Sequence, residues 1–148
     1  MSVDALYTEI IMMHNKSRHN RHLLDHPTTL ERGHNPNCGD DLTLLIEMED
    51  GVIKDAAYQG TGCAISQASI SIMIDLIKGL SLEDAKNKVD LFFKMIHNEA
   101  LTEDEQDSLG DAIIFESLSQ MPARVKCGSL GWHCFDVCLK NAQRQFRI

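Results

Sequence analysis

With 148 residues, 43% of them hydrophobic, the chain can bury one ordinary core and is too short for two, so a single domain over 1–148 is expected. A net charge of −8 at pH 7 leaves no basic field for phosphates, which argues against nucleic acid and anionic membrane surfaces and favours a protein partner with a basic face. No apolar run reaches the roughly 18–20 residues that span a bilayer, and Met1–Leu6 lacks the regions of a signal peptide, so the expected compartment is the cytosol.

Five cysteines, an odd number for a chain read as intracellular, argue against a disulfide framework. Metal binding, redox chemistry and plain burial remain, to be weighed one cysteine at a time.

Val3, Leu6, Tyr7, Ile10, Ile11 and His14 recur at helical spacing, with Ser2 as N-cap and Lys16 and Arg18 where cations suit the helix dipole. The spacing predicts an amphipathic helix over about 3–18. Residues 18–37 hold four histidines, two prolines and few periodic apolar positions, and read as an exposed connection. His19, His22 and His26 have a spacing that permits a metal site, but no cysteine or second turn of ligands accompanies them, and a solvated polar segment is the preferred reading.

From Leu42 the alternation Leu42, Leu44, Ile46, Met48 predicts a strand over about 41–49, and Val52 to Tyr58 resumes an extended pattern. Asp50-Gly51 between them is the signal of a type I′ turn, so the two form an antiparallel hairpin. Residues 64–78 alternate in part like a strand at Ile70, Ile72 and Ile74. Their length and the stop at Gly79 favour a helix.

Ser81 with Asp84 resembles a capping box, and Leu82, Ala85, Val89, Phe92, Phe93 and Ile96 form a helical stripe to about Asn98. Thr102-Glu103-Asp104-Glu105 is a fuller box that starts a short acidic helix. Another short helix is expected over 112–121, ended by Pro122. Beyond it Cys127, Leu130, Cys134, Val137, Cys138 and Ala142 fall near one helical face, and Arg144 and Arg147 finish the chain.

Three cysteines stand where a turn meets a regular element. In Asn35-Pro36-Asn37-Cys38-Gly39-Asp40-Asp41 the glycine lets the backbone fold tightly between a thiol and the Asp40 carboxylate, although paired C-x-x-C knuckles are missing. The plain alternative is that Asp40 caps a turn and Cys38 is a small buried hydrophobe. Cys63, after Gly60-Thr61-Gly62, falls at a helix N-terminus, whose unpaired N–H groups favour thiolate. A phosphate cradle there lacks the lysine and the residue count of a P-loop. Cys127 follows a proline-marked helix start. Cys134 and Cys138 lie roughly 10 and 16 Å further along that helix at 1.5 Å per residue and read as packing residues. Trp132 and His133 read as a partly exposed face, and no serine-type or papain-type triad is recognisable.

Taken together, Leu6-Tyr7 with Ile10-Ile11-Met12 and His14, then Asn35-Pro36-x-Cys38-Gly39-Asp40, Gly60-x-Gly62-Cys63-x-Ile65-Ser66-x-Ala68-Ser69 and Pro122-Ala123-Arg124-Val125-Lys126-Cys127 resemble the iron-sulfur cluster assembly family of IscU and the N-terminal part of NifU. The resemblance covers nearly the whole chain and is greatest to its SufU branch. A helical, acidic segment at about 98–122 looks like the insertion of that branch, and Lys126 stands where IscU-type scaffolds carry histidine. Leu-Pro-Pro-Val-Lys, by which IscU proteins engage a dedicated chaperone, is degenerate at 121–126, so that chaperone is not an expected partner. Lys16 to Arg21 departs from the Pro-Arg-Asn that relatives often carry.

The resemblance implies an α+β fold, a small antiparallel sheet packed by several helices. It further implies a metal site of Cys38, Asp40, Cys63 and Cys127, with Cys38 the sulfur acceptor. The implied cofactor is Zn²⁺, or alternatively a transient [2Fe-2S] cluster. The implied partners are a pyridoxal-phosphate cysteine desulfurase of the SufS type and downstream iron-sulfur assembly or acceptor proteins. A scaffold function on the same residues, or a structural zinc domain with an adaptor role, are the competing readings.

Overall fold

The computed structural model describes the backbone over residues 3–36 and 39–145 and the side chains over 8–36 and 39–142. Ser2, Cys38 and Arg147 therefore lie outside the described residues. The element order is α1 (Val3–Lys16), β1 (Thr29–Asn35), β2 (Asp40–Glu49), β3 (Val52–Thr61), α2 (Ala64–Ile77), α3 (Leu82–Ile96), α4 (Glu103–Ser108), a 3-10 helix (Gly110–Gln120) and α5 (Pro122–Gln145). The three strands form one antiparallel sheet in the order β1-β2-β3.

The Asp50-Gly51 hairpin forms as its chemistry requires, with φ of 54° and 77° at the two turn residues. It sets the β2–β3 register, in which Leu42, Leu44 and Ile46 lie opposite Gly60, Tyr58 and Ala56. All three β2 side chains are fully buried. A bulge at Glu47/Met48 takes up the irregularity near the turn.

Strand β1 corrects the reading of 18–37 as an exposed connection. Thr29 to Asn35 pairs antiparallel with β2 from Thr29↔Ile46 to Asn35↔Asp40. Its sequence, Thr-Leu-Glu-Arg-Gly-His-Asn, lacks an apolar alternation because the large side chains Leu30, Arg32 and His34 face solvent, while Gly33 is buried against α5. A Cβ at Gly33 would lie 2.6 Å from Cys134 Sγ, so glycine is what lets α5 approach the strand. A small residue at an inward position leaves no hydrophobic signal.

Helix α2 is the hub. It packs on α1, α3, α5, the 3-10 helix and β3, and Ala68, Ile70, Ile72, Met73, Ile74 and Ile77 are all buried. A helix apolar on most sides is a core helix, which explains why its sequence alternates ambiguously. Its buried serines are satisfied: Ser71 Oγ donates to the His19 carbonyl at 2.9 Å and meets His14 Nδ1 at 2.7 Å. Ser69 Oγ donates to the Gly128 carbonyl at 2.6 Å.

Trp132, expected on a partly exposed face, is fully buried. Its ring stacks on Phe92 with centroids 4.0 Å apart and planes within 4°, and its Nε1–H donates to Ser69 Oγ at 3.0 Å. The apolar stripe of α5 is wider than the cysteine positions suggest, because α2 and α3 both pack on it. His133 is exposed, with its ring against Phe93 at 4.7 Å.

Between α3 and α5, the expected capping box closes α4: Glu105 N–H donates to Thr102 Oγ1 at 3.2 Å, and Thr102 N–H to Glu105 Oε1 at 2.9 Å. The expected helix over 112–121 is the 3-10 helix, and it buries Ala112, Ile114, Phe115 and Leu118. A Cβ at Gly128 would lie 2.6 Å from Leu118 Cδ1, so this segment is packed directly behind the turn that carries Cys127.

Candidate metal centre

A strand end, a helix cap and a helix turn converge at one end of the sheet. The β1–β2 connection returns to the sheet at Asp40, whose register partner is Asn35 at the other end of the loop. Strand β3 runs out at Thr61 and passes through Gly62 to Cys63, the N-cap of α2. Cys127 stands in the second turn of α5, held to α2 through the Ser69–Gly128 hydrogen bond beside it.

Asp40, Cys63 and Cys127 offer ligand atoms that all lie within 4.8 Å of one another. Asp40 and Cys127 are fully buried and Cys63 is partly exposed. Cys38, two residues before Asp40 in the sequence, is the fourth expected member and lies outside the described residues. Among the described residues no other group of histidine, cysteine or carboxylate side chains meets the same condition. His19, His22 and His26 are not brought together: His19 Nε2 pairs with Asp75 at 2.9 Å, and His22 Nδ1 turns to the Leu23 carbonyl at 2.9 Å.

Asp40 is positioned with care. Its Oδ1 accepts the Cys63 N–H and the Ser66 hydroxyl, both at 2.9 Å. Its Oδ2 is buried without any hydrogen-bond partner. A buried carboxylate oxygen without a partner is costly in a folded protein unless a cation or a proton meets it. With two thiols beside it, the donor set suits a transition-metal ion that takes sulfur and oxygen.

The Cys63 turn is pinned by its carbonyls. Arg21 donates to Gly60 O at 2.7 Å, Gln67 Nε2 to Gly62 O at 2.7 Å and Asn15 Nδ2 to Ala64 O at 3.1 Å. Cys63 Sγ itself accepts the Ser66 N–H at 3.4 Å, as an N-cap side chain does. Gly62 is required for space: a Cβ there would collide with Ser66 Oγ and lie 2.9 Å from Asp40 Oδ1. Sequence reasoning assigned no role to Ser66, Asn15, Arg21 or Gln67. Only Ser66 carried a signal, its place three residues after an N-cap.

Next to the centre, Asp41 is not available as a ligand. Arg32 grips it through Nε and a terminal nitrogen at 2.8 and 2.6 Å, and that hydrogen bond holds the Asp41 carboxyl below the usual range. Cys134 and Cys138, read as packing residues, are buried in the core with α5 against the sheet. Desolvation pushes their thiols up to about 11 and about 12. Cys63, Cys127, Cys134 and Cys138 are all free of disulfides.

The fold has known counterparts. The model of the NifU-like N-terminal domain matches residues 6–128, most of the chain. The chain belongs to that family. Within it, the chain is 37% identical over 144 residues to the iron-sulfur cluster assembly scaffold protein IscU of Thermotoga maritima, covering 97% of this chain and 99% of the relative. It is 33% identical over 135 residues to the zinc-dependent sulfurtransferase SufU of Bacillus subtilis, covering 91% and 90%. Among solved structures, a SufU described as a putative scaffold protein from Fervidobacterium islandicum superposes with a TM-score of 0.82 at 31% identity, over 88% of this chain and 94% of that one. A NifU-like N-terminal protein from Brucella abortus gives the same TM-score at 24% identity over 97% and 99%, a likeness of fold. The expected α+β architecture, a small antiparallel sheet packed by helices, is the fold of the family and of this chain.

Proposed function

We propose that this protein serves iron-sulfur cluster assembly as a zinc-dependent sulfurtransferase of the SufU type, acting in the cytosol with a cysteine desulfurase. The observation that carries the reading is the buried, half-satisfied Asp40 beside the thiols of Cys63 and Cys127. With Cys38, these residues form the Cys/Asp/Cys/Cys set that would hold Zn²⁺. Three sulfurs and one oxygen would fill the four positions zinc commonly takes and leave none for water, so hydrolysis is not the expected chemistry. A bound Zn²⁺ would keep the cysteines deprotonated at neutral pH.

Sulfur acceptance falls to Cys38. Its thiolate attacks the outer sulfur of a persulfide on the desulfurase cysteine; a new S–S bond forms on Cys38, the old one breaks, and the desulfurase cysteine leaves as thiolate. No electrons are gained or lost overall. Ser66 and the Cys63 N–H hold Asp40 in place throughout. The sulfur then passes to downstream iron-sulfur assembly or acceptor proteins.

The second reading is a scaffold that builds a labile [2Fe-2S] cluster on the same four residues and passes it to apo-proteins. It is favoured by the 37% identity to an IscU scaffold protein and by a carboxylate in a cysteine site, since a non-thiolate ligand eases release.

Metal and acid-labile sulfide, measured on protein purified without oxygen together with desulfurase turnover, separate the readings. Sulfur transfer predicts about one zinc per chain by the tetrahedral donor count, no sulfide, and a rise in turnover that is lost in Cys38→Ala. Iron with comparable sulfide and cluster transfer to an apo-protein makes it a scaffold. Zinc with no effect on the desulfurase leaves a structural zinc domain. In Asp40→Ala, zinc retention or sulfur transfer should change, and normal values of both would remove Asp40 from the site.

A further inference from the structure

We propose that Ser66 is a positioning residue that makes Asp40 a one-oxygen ligand and so limits the number of donors at the metal centre. The inference rests on the reading of Cys38, Asp40, Cys63 and Cys127 as a zinc site, and concerns how one member of that set is presented.

The two oxygens of Asp40 meet different surroundings. Oδ1 accepts two hydrogen bonds, from the Cys63 N–H and from the Ser66 hydroxyl, both at 2.9 Å. Each oxygen of an ionised carboxylate offers about two lone pairs, so two donors fill it. Oδ2 has no partner, and Asp40 is fully buried. What is left of the carboxylate for a cation is Oδ2 alone.

Of the two donors, the Cys63 N–H is fixed in the backbone and the Ser66 hydroxyl is the one that can turn. A serine hydroxyl has a single proton. Its acceptors are Asp40 Oδ1 at 2.9 Å and, one helical turn back, the Cys63 carbonyl at 3.1 Å. Cys63 Sγ is more distant, 3.6 Å from Ser66 Oγ. The carboxylate is nearer and charged, and holds the proton more strongly. Ser66 and Asp40 are both without exposed surface, so solvent does not stand in for the hydroxyl. Gly62 leaves it its place, since a Cβ there would collide with Ser66 Oγ.

The Ser66 backbone N–H meanwhile donates to Cys63 Sγ at 3.4 Å. One residue thus touches two of the metal-binding groups through two different atoms. Without the hydroxyl, Oδ1 has a lone pair open, and a carboxylate with two open oxygens can chelate. Zinc is able to expand from four donors to five. Ser66 holds the count at four.

The test reads carboxylate denticity directly. Infrared difference spectra of the full chain labelled with ¹³C-aspartate, zinc-loaded minus zinc-free, should show one carboxylate whose two stretches move further apart than those of free aspartate, as one-oxygen binding requires. A narrower separation means two-oxygen binding and overturns the proposal without any substitution at Ser66. Ser66→Ala stands in the first turn of α2, where alanine is the better helix former and the fold should be kept. It should narrow the separation and weaken zinc binding about 10- to 100-fold, the range for loss of a group that orients a ligand. Loaded with Co²⁺, the variant should lose d–d intensity, as five-coordinate sites do, and keep its thiolate-to-cobalt bands. Wild-type spectra in Ser66→Ala would overturn the proposal. In an Asp40→Ala background, Ser66→Ala should weaken zinc binding no further, because it acts through Asp40; additive losses would make its role that of a helix residue only and overturn the proposal as well. Failure of the underlying reading looks different: wild-type and Asp40→Ala chains would bind zinc alike, or not at all, and both proposals would fall.

Discussion

Cys127 and Cys138 stand on one helix, α5, both fully buried, and their surroundings give them opposite roles. Around Cys127 the structure gathers a second thiol and a carboxylate with an unpartnered oxygen. Around Cys138 it gathers the inner face of the sheet, and desolvation raises the thiol to about 12. Burial alone makes cysteine a small hydrophobe; burial beside a half-satisfied carboxylate and another thiol makes it a candidate ligand. Eleven positions along one helix, roughly 16 Å, separate the two cases.

The largest effect that would break this contrast is on metal retention. Cys127→Ala should weaken zinc binding by more than about a hundredfold, above the range for loss of a supporting hydrogen bond, while Cys138→Ala keeps wild-type zinc. Dialysis against graded chelator with metal analysis measures both. Equal loss in the two variants would mean that Cys127 acts through packing alone.

A smaller effect comes from the joint between the two regions. Ser69 accepts the Trp132 Nε1–H and donates to the Gly128 carbonyl, next to Cys127. Ser69→Ala leaves the buried Trp132 Nε1–H without its acceptor and should cost about 1–3 kcal/mol in urea unfolding. Zinc affinity should fall alongside if the joint positions Cys127, and stay unchanged if it serves the core alone.

The smallest effect is a pH dependence. The folded-state thiols of Cys134 and Cys138 lie at about 11 and about 12, above the ordinary 9.0. Between those values the unfolded chain loses protons that the folded chain keeps. The stabilisation is fully present below pH 9 and is lost as pH rises through the folded values. Urea midpoints should decline above pH 9, with a shallower decline in Cys138→Ala. At pH 8 both thiols of the folded chain should resist iodoacetamide, whereas Cys63, partly exposed, should react once zinc is removed.

Much of the fold was legible in the residues because local chemistry decided it. Asp50-Gly51 requires the two positive φ values that the hairpin shows, and Thr102 with Glu105 closes its own capping box. Strand β1 was not legible, because its inward positions include Gly33, where α5 needs room rather than a hydrophobe. Trp132 was misplaced on an exposed face because the width of a helix's buried stripe depends on how many neighbours pack on it.

Local runs of residues decided the β2–β3 hairpin, the helices and their caps, since turn conformations, caps and periodicity act over a few residues; β1 they did not decide. The meeting of Asp40, Cys63 and Cys127 was decided only in three dimensions. It depends on a strand end, a helix cap and a helix turn far apart in the chain, fixed by Ser66 on Asp40 and Ser69 on Gly128. The same is true of the separate fate of Cys134 and Cys138: whether a buried thiol meets a carboxylate or a sheet is a property of packing, which no local run of residues encodes.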